Sequence, residues 1–234
     1  MHFLHSPDIW RDFPELVAGV VFTDGITSSP SVDSRIATFT AIADRRLSAH
    51  TEAEMPEIQA WRRAFTRMGL KPTQHRCAAE SLLRRYRRSG DLPRIHPLVD
   101  LCNAISLAHA IPIAVFDLAQ VVFPLEVRYA EGNETFLTLG GQVEQPEPRE
   151  VIFADPAGRA HARRWTSHQS GLSAVSGSTR SVLIVAEAMH LTAQHEIREL
   201  VSQVGEELLR VWHAPSTHAV LSASSPQFVI GACQ

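Results

Sequence analysis

Apolar positions along this chain follow two periods. At 16–22 (LVAGVVF) and 181–186 (SVLIVA) they are nearly continuous and β-branched, the pattern of buried strands. At 32–47 they recur at helical spacing through Ile36, Phe39, Ile42 and Ala43. Thr51-x-x-Glu54 is a capping box ahead of a helix with the buried stripe Ile58, Trp61, Phe65 and Met68 and the stop Gly69. From Ala78 a further helix sets Ala79, Leu82, Leu83 and Tyr86 on one face, with Arg84, Arg85, Arg87 and Arg88 on the other, and Ser89-Gly90 ends it. Leu92-Pro93-Arg94-Ile95-His96-Pro97 reads as a rigid extended connector, because each proline lacks a donor and pushes its predecessor toward extended geometry.

From Leu98 to Ala110 the pattern is apolar nearly all round, so a buried helix is expected, with Asn103, Ser106 and His109 as buried polar groups in need of partners. Ile111 to Phe116 suits a buried strand with proline near its start. Strands dominate after Asp117. Leu125–Tyr129 alternates, and Gly132-Asn133 predicts a turn that returns Glu134–Leu139 beside it as a hairpin. A second hairpin joins Val151–Ala154 to Arg159–Trp165 across Asp155-Pro156-Ala157-Gly158. Thr166–Ser178, rich in Ser and Gly, reads as a mobile loop beside the site. Thr192–Val211 is a closing helix, and 219–221 and 228–230 are short strands.

Composition narrows the classes. At 234 residues, 44% apolar and 20% charged, the chain is an ordinary globular sequence able to bury a substantial core. Its net charge of −3 gives no global attraction to nucleic acid, so any such attraction must be local, on the arginine face. Cys77, Cys102 and Cys233 are an odd number without C-x-x-C, which argues against a disulfide framework and for a reducing cytoplasm. The opening residues lack the layout of a signal peptide, and the apolar zone 104–127 is broken by His109, Pro112, Asp117 and Pro124, so neither export nor membrane insertion is expected.

Familiar catalytic motifs are missing: Gly171-Leu172-Ser173-Ala174-Val175 lacks the second glycine of a nucleophile elbow, and there is no P-loop and no H-E-x-x-H. The histidine pairs His2/His5, His161/His168 and His190/His195 lack helical i,i+4 spacing and a nearby acidic or cysteine companion set, so no metal and no cofactor is expected.

Leu92-Pro93-Arg94-Ile95, Pro97-Leu98-Val99-Asp100 and Asn103, followed by Pro112 and Phe116-Asp117, resemble the B3/B4 domain of the bacterial phenylalanyl-tRNA synthetase β subunit. The chain is more similar still to free-standing B3/B4 proteins. Further matches are Ala60-Trp61-Arg62, Gly69 with Pro72, the run 79–85, Gly132-x-Glu134-x-Phe136, Ala154-Asp155, Arg164-Trp165 and Thr179. The resemblance implies an α+β fold: a single compact unit with a mixed sheet flanked by helices and a loop-bordered cleft. Its expected segments are 1–68, an N-terminal strand and helices; 69–190, the core; and 191–234, a C-terminal helix and cap.

It also implies a tRNA-binding editing domain whose partner is the aminoacylated 3′ end of a tRNA, with no membrane and no obligate protein partner. Asn103 would then lie by the editing pocket. An aminoacyl ester is already activated, so its hydrolysis needs positioned donors more than a strong nucleophile. Two departures stand out. Where the synthetase domain carries a histidine and a glutamate that recognise the tyrosine hydroxyl, this chain has Ala114 and Val185, so tyrosine is not the expected substrate. Glu187, two residues on and on the same strand face, can replace the lost carboxylate from a different depth.

Arg164-Trp165 and Ser167-His168-Gln169 take the place of a glycine-rich wall. Candidate catalytic residues are therefore Asn103, Glu134 and Glu187; the substrate pocket is Cys102, Ser106, Ala114, Trp165, His168 and Val185; the RNA face is Arg84, Arg87, Arg88 and Arg94. The expected activity is hydrolysis of a mischarged aminoacyl-tRNA in trans. The alternative is a non-catalytic module that binds RNA or an amino-acid-like small molecule.

Overall fold

The computed structural model describes residues 1–231, so Cys233 lies outside the described residues. The chain opens with β1 (His2–His5) and a short α1 (Pro7–Asp12), capped by the Ser6 side chain, and then forms β2 (Val17–Thr23). Three helices follow: α2 (Asp33–Ala49), α3 (Pro56–Arg67) and α4 (Ala78–Ser89). The Thr51/Glu54 capping box is present, on a single 3-10 turn that leads into α3. Helix α4 ends at Gly90, whose φ of 73° is left-handed, where lack of a side chain costs nothing.

His96 caps the apolar helix α5 (Pro97–His109), which feeds β3 (Ile113–Asp117). Then come β4 (Leu125–Tyr129), β5 (Thr135–Leu137), β6 (Val143–Glu144), β7 (Val151–Ala154), β8 (Arg159–Arg163) and β9 (His168–Gln169). The chain closes with β10 (Val182–Ala188), α6 (Ala193–Trp212), β11 (Ser216–Leu221) and β12 (Gln227–Val229).

The α+β reading stands, with its strands divided between two sheets. One is mixed, in the order β12-β1-β4-β7-β8-β5-β6 with β9 on β8; its β1–β4 and β5–β8 pairs are parallel. The other, β11-β2-β10-β3, is antiparallel throughout. All residues of β2 and of β10 are buried, because the antiparallel sheet is covered on both faces. Helix α6 lies on one face, so close that a Cβ at Gly19 would stand 2.5 Å from Val201 Cγ1. The mixed sheet covers the other: Phe116 of β3 packs on Phe153 of β7 with ring centres 5.2 Å apart, and Phe3 of β1 stacks on the same ring.

One predicted pairing fails. Strands β4 and β5 are not hairpin partners; β4 pairs with β1 and β7, and β5 pairs with β6 and β8. The Glu134 carboxylate accepts from the N–H groups of Glu131 and Gly132, and Ala130 bonds Arg149 and Glu150 through its backbone. These bonds turn the chain away from β4 and leave that edge to β7. The 151–154/159–163 hairpin forms as expected, with Asp155 accepting from the N–H groups of Ala157 and Arg159.

The segment 166–178 is held in place by protein contacts rather than left free. Ser170 donates to Leu137 O, Gln169 to Val115 O, and the backbone of Ser173 accepts from Asp117 N–H. Among the described residues no helix is long and apolar enough to cross a membrane.

Candidate functional site

Between the two sheets, at the end where β3 and β10 lie side by side, lies a partly enclosed cavity of about 60 Å³. That is room for a few waters or one small group. Ala114 and Val185, which face each other across β3 and β10, form one wall; Phe153 and Ala162 of the mixed sheet form the opposite one. The rim is the turn Trp165–Gln169, with Ala78 at the start of α4.

That turn is built by two consecutive non-glycine residues in the left-handed region, Arg164 at φ 46° and Trp165 at φ 56°. Each costs about 1–2 kcal/mol relative to right-handed geometry. The Trp165 N–H donates to Val151 O at 2.7 Å and the Arg164 N–H to Glu150 Oε1 at 2.7 Å, which hold the turn. Its product is a fully buried indole, edge-on to Phe13 and to Trp61.

At the base of the cavity lies Glu187, 2% exposed. Its Oε1 accepts from Trp165 Nε1 at 2.9 Å and contacts His5 Nε2 at 2.7 Å, while its backbone oxygen accepts from Trp61 Nε1 at 3.2 Å. Its Oε2 has no hydrogen-bond partner among the described residues. The hydroxyl of Thr166, another lining residue, is buried and also without a partner, though the Thr166 carbonyl accepts from Ala78 N–H.

His168 stands exposed at the rim. Partial desolvation by the surrounding protein, then Arg164 and Arg163, push its pKa below the ordinary histidine value, so the ring is neutral near pH 7. An apolar slot with a carboxylate at its base, a buried hydroxyl in its wall and a neutral imidazole at its mouth presents a charged acceptor to a cationic group.

Five of the residues singled out from the sequence, Ala114, Trp165, His168, Val185 and Glu187, line this cavity. Four others do not. Cys102 and Ser106 are packed inside the helix layer: burial pushes the Cys102 thiol up to about 12, and Ser106 Oγ donates to Ile111 O at 2.6 Å. Asn103 is half-buried, not fully buried as expected, and its side chain has no hydrogen bond among the described residues. His109 too is half-buried, bonded to Gln203. The reason is topological: α5 packs on α2, and only residues beyond its end, 112–114, reach the cavity.

Glu134 is likewise committed elsewhere, to Arg128 at 2.5 Å and to the turn N–H groups. Burial pushes its pKa up, but the bonds from Glu131, Arg128 and Gly132 outweigh that and hold it below the ordinary carboxylate range. His5, Trp61 and Thr166 are the site residues that the site assignment from sequence missed. Trp61 was visible as part of a buried helical stripe and of a matching segment but not as a site residue, and His5 lies 182 positions from its partner.

Arg84, Arg87 and Arg88 share one face with Arg76 and Arg85, lining a shallow surface cleft of about 440 Å³. Buried Glu52 lies 3.3 Å from Arg84 and 3.0 Å from Arg87, whereas Arg85 and Arg88 have no acidic partner among the described residues. Arg94 is elsewhere, paired with Asp33 in a separate groove. The arginine face and the cavity share α4, whose first residue forms part of the cavity rim.

A hydrogen-bonded chain of Ser173, His161 and Asp155 is also present, with Ser173 Oγ 2.9 Å from His161 Nδ1 and His161 Nε2 3.1 Å from Asp155 Oδ2. Ser173 and His161 are wholly buried and outside the cavity, so these groups brace the 166–178 segment rather than present a nucleophile.

The family model of the B3/4 domain matches residues 60–206. Among curated proteins, the phenylalanine–tRNA ligase beta subunit of Chromobacterium violaceum is 36% identical over 74 residues, 32% of this chain and 9% of that protein. That of Pasteurella multocida is 31% identical over 106 residues, 45% of this chain and 13% of that protein. The chain thus spans only about a tenth of the length of these relatives. An N-terminal fragment of the phenylalanyl-tRNA synthetase beta-subunit from Pyrococcus horikoshii aligns with 92% of this chain and 49% of its own, at 12% identity and a TM-score of 0.44.

Proposed function

Since the chain belongs to the B3/4 domain family, we propose that it admits the aminoacylated 3′ end of a mischarged tRNA to the cavity beneath Trp165 and hydrolyses the ester in trans. The observation that carries this reading is Glu187. A buried carboxylate with one oxygen fixed by Trp165 and His5, and the other unbonded among the described residues, is a receptor for a cationic donor. In an aminoacyl ester that donor is the α-ammonium group. Its capture by Glu187 sets the amino-acid side chain against Ala114, Val185 and Phe153, and leaves the ester at the rim.

The wall that Ala114 and Val185 form offers no partner to a side-chain hydroxyl, so the amino acid is an apolar one. At the rim, neutral His168 accepts a proton from the attacking water and Thr166 orients it. The arginines of α4 take the phosphates of the same tRNA.

The test is deacylation of a panel of correctly and incorrectly charged tRNAs by the wild-type protein and by Glu187→Gln. Hydrolysis of one mischarged pair is expected, with kcat/KM about 10- to 100-fold lower in the variant, the worth of one hydrogen bond to a charged group. An unaffected variant would sink the role of Glu187.

A second reading, a binding module without turnover, draws on the placement of Asn103 and Glu134 away from the cavity. Saturable binding of an aminoacyl-tRNA or amino-acid analogue, with no ester cleavage anywhere in the panel, would favour it.

A further inference from the structure

We propose that Glu57, His190 and Glu196 form a binding site for a transition-metal dication of the zinc class, distinct from the cavity. The three residues come from the first turn of α3, the connector after β10 and the first turn of α6, and each offers one donor atom, all within 4.8 Å of one another. Two features separate this set from a chance cluster.

The first is unused bonding capacity in a buried place. His190 and Glu57 are 6% and 5% exposed, yet neither ring nitrogen of His190 nor Glu57 Oε2 has a hydrogen-bond partner among the described residues. Buried polar atoms without partners are rare, and an unseen ion is one of their ordinary explanations. The second is the geometry between His190 and Glu196. His190 Nε2 lies 3.0 Å from Glu196 Oε2, but the pair lacks hydrogen-bond alignment. Close approach without a shared proton is the relation between two ligands of one ion; with bonds of about 2.1 Å, tetrahedral ligands stand about 3.4 Å apart.

The surroundings complete the set. Arg46 Nη2 holds Glu57 Oε1 at 2.5 Å and Thr192 Oγ1 holds Glu196 Oε1 at 2.6 Å, so the remaining oxygen of each carboxylate is oriented toward the site. Two carboxylates against one guanidinium leave a net negative charge for a dication. The Glu196 side chain is 26% exposed, which gives an ion a way in, room for the small closure that bonding requires, and a place for a water as fourth ligand. One imidazole with two carboxylates suits zinc-like ions, whereas magnesium favours all-oxygen shells that retain several waters.

The sequence gives His190 no acidic or cysteine companions at ligand spacing. Glu57 arrives only through the packing of α3 beside β10.

The test is titration of chelator-dialysed protein with Zn²⁺ and Co²⁺, followed by calorimetry, visible absorption and thermal unfolding. One ion per chain, Co²⁺ ligand-field bands and a melting temperature raised by about 5 °C or more at saturating metal are expected. Glu196→Gln, which alters a partly exposed side chain and should fold, is expected to weaken binding at least 10-fold and to lose the bands, and His190→Gln to abolish both. No bands and no thermal shift in the wild type, equal binding by Glu196→Gln, or a response to Mg²⁺ alone would overturn the proposal. None of these readouts depends on hydrolysis.

Discussion

A buried hydroxyl with no partner costs a folded protein about 1–3 kcal/mol, and Thr166 places one at the cavity. Its neighbours Arg164 and Trp165 adopt left-handed backbone that a glycine would take without strain. Destabilising features concentrated in one turn beside the cavity accord with the ligand site proposed above. Thr166→Val keeps the side-chain shape and removes the hydroxyl. It is expected to leave the free energy of urea unfolding unchanged or raise it by about 1 kcal/mol, while deacylation falls at least 10-fold. A variant that is less stable and fully active would show that Thr166 serves the fold alone.

At the scale of elements, α4 carries two duties. Its buried side anchors it: Glu80 lies beneath Arg62 at 2.6 Å, and the Cys77 thiol, pushed up to about 12 by burial, caps its first turn. Its outer side is the arginine cleft. Reversing Arg84 or Arg87 would set a carboxylate against buried Glu52 and confuse binding with folding. Arg85 and Arg88 have no acidic partner among the described residues, so Arg85→Glu/Arg88→Glu separates the two. This double variant is expected to keep the wild-type unfolding transition. It should also weaken tRNA binding and reduce the slope of log affinity against log salt by about 1.5, near 0.7–0.9 for each phosphate no longer neutralised. An unaltered slope in filter binding would remove α4 from the RNA interface.

For the whole molecule, buried titratable groups set the response to acid. Burial lowers the His161 pKa below the ordinary value, more than Asp155 beside it raises it. The unfolded chain therefore binds a proton that the folded chain does not. The stability this contributes is complete above about pH 6.5 and declines as pH falls from there toward the folded pKa. Asp155, Glu150 and Glu134 add a second step. Burial raises each, but hydrogen bonds, chiefly from arginines and backbone N–H groups, win and hold the folded values low. Their contribution is present above about pH 4 and lost below it as pH falls through those values. Urea midpoints at pH 7.5, 5.5, 4.5 and 3.5 are expected to fall in two stages, with His161→Gln reducing the first, to which His75, His96 and His168, also lowered by burial, contribute as well. A midpoint constant from pH 7.5 to 5 would refute the assignment.

Local pattern alone determined most of the elements. The arginine-faced α4 with its stop at Gly90, the buried strand at 181–186 and the Asp155–Gly158 turn follow from periodicity and turn chemistry acting within a few residues. Motif likeness went further and placed Ala114, Val185, Trp165, His168 and Glu187 at one cavity.

What local pattern could not decide was which strand edges meet. Glu134 looked like a hairpin carboxylate facing a site, but its bonds to Arg128 and the turn redirect β5 to β8. Asn103 looked buried on an apolar helix, yet α5 passes the cavity by and only its continuation enters. His5 meets Glu187, and Glu57 meets His190, across most of the chain length. Such meetings arise when sheets and helices stack to bury apolar faces. The residues that face one another then depend on the packing of whole layers, and no spacing along the sequence records them.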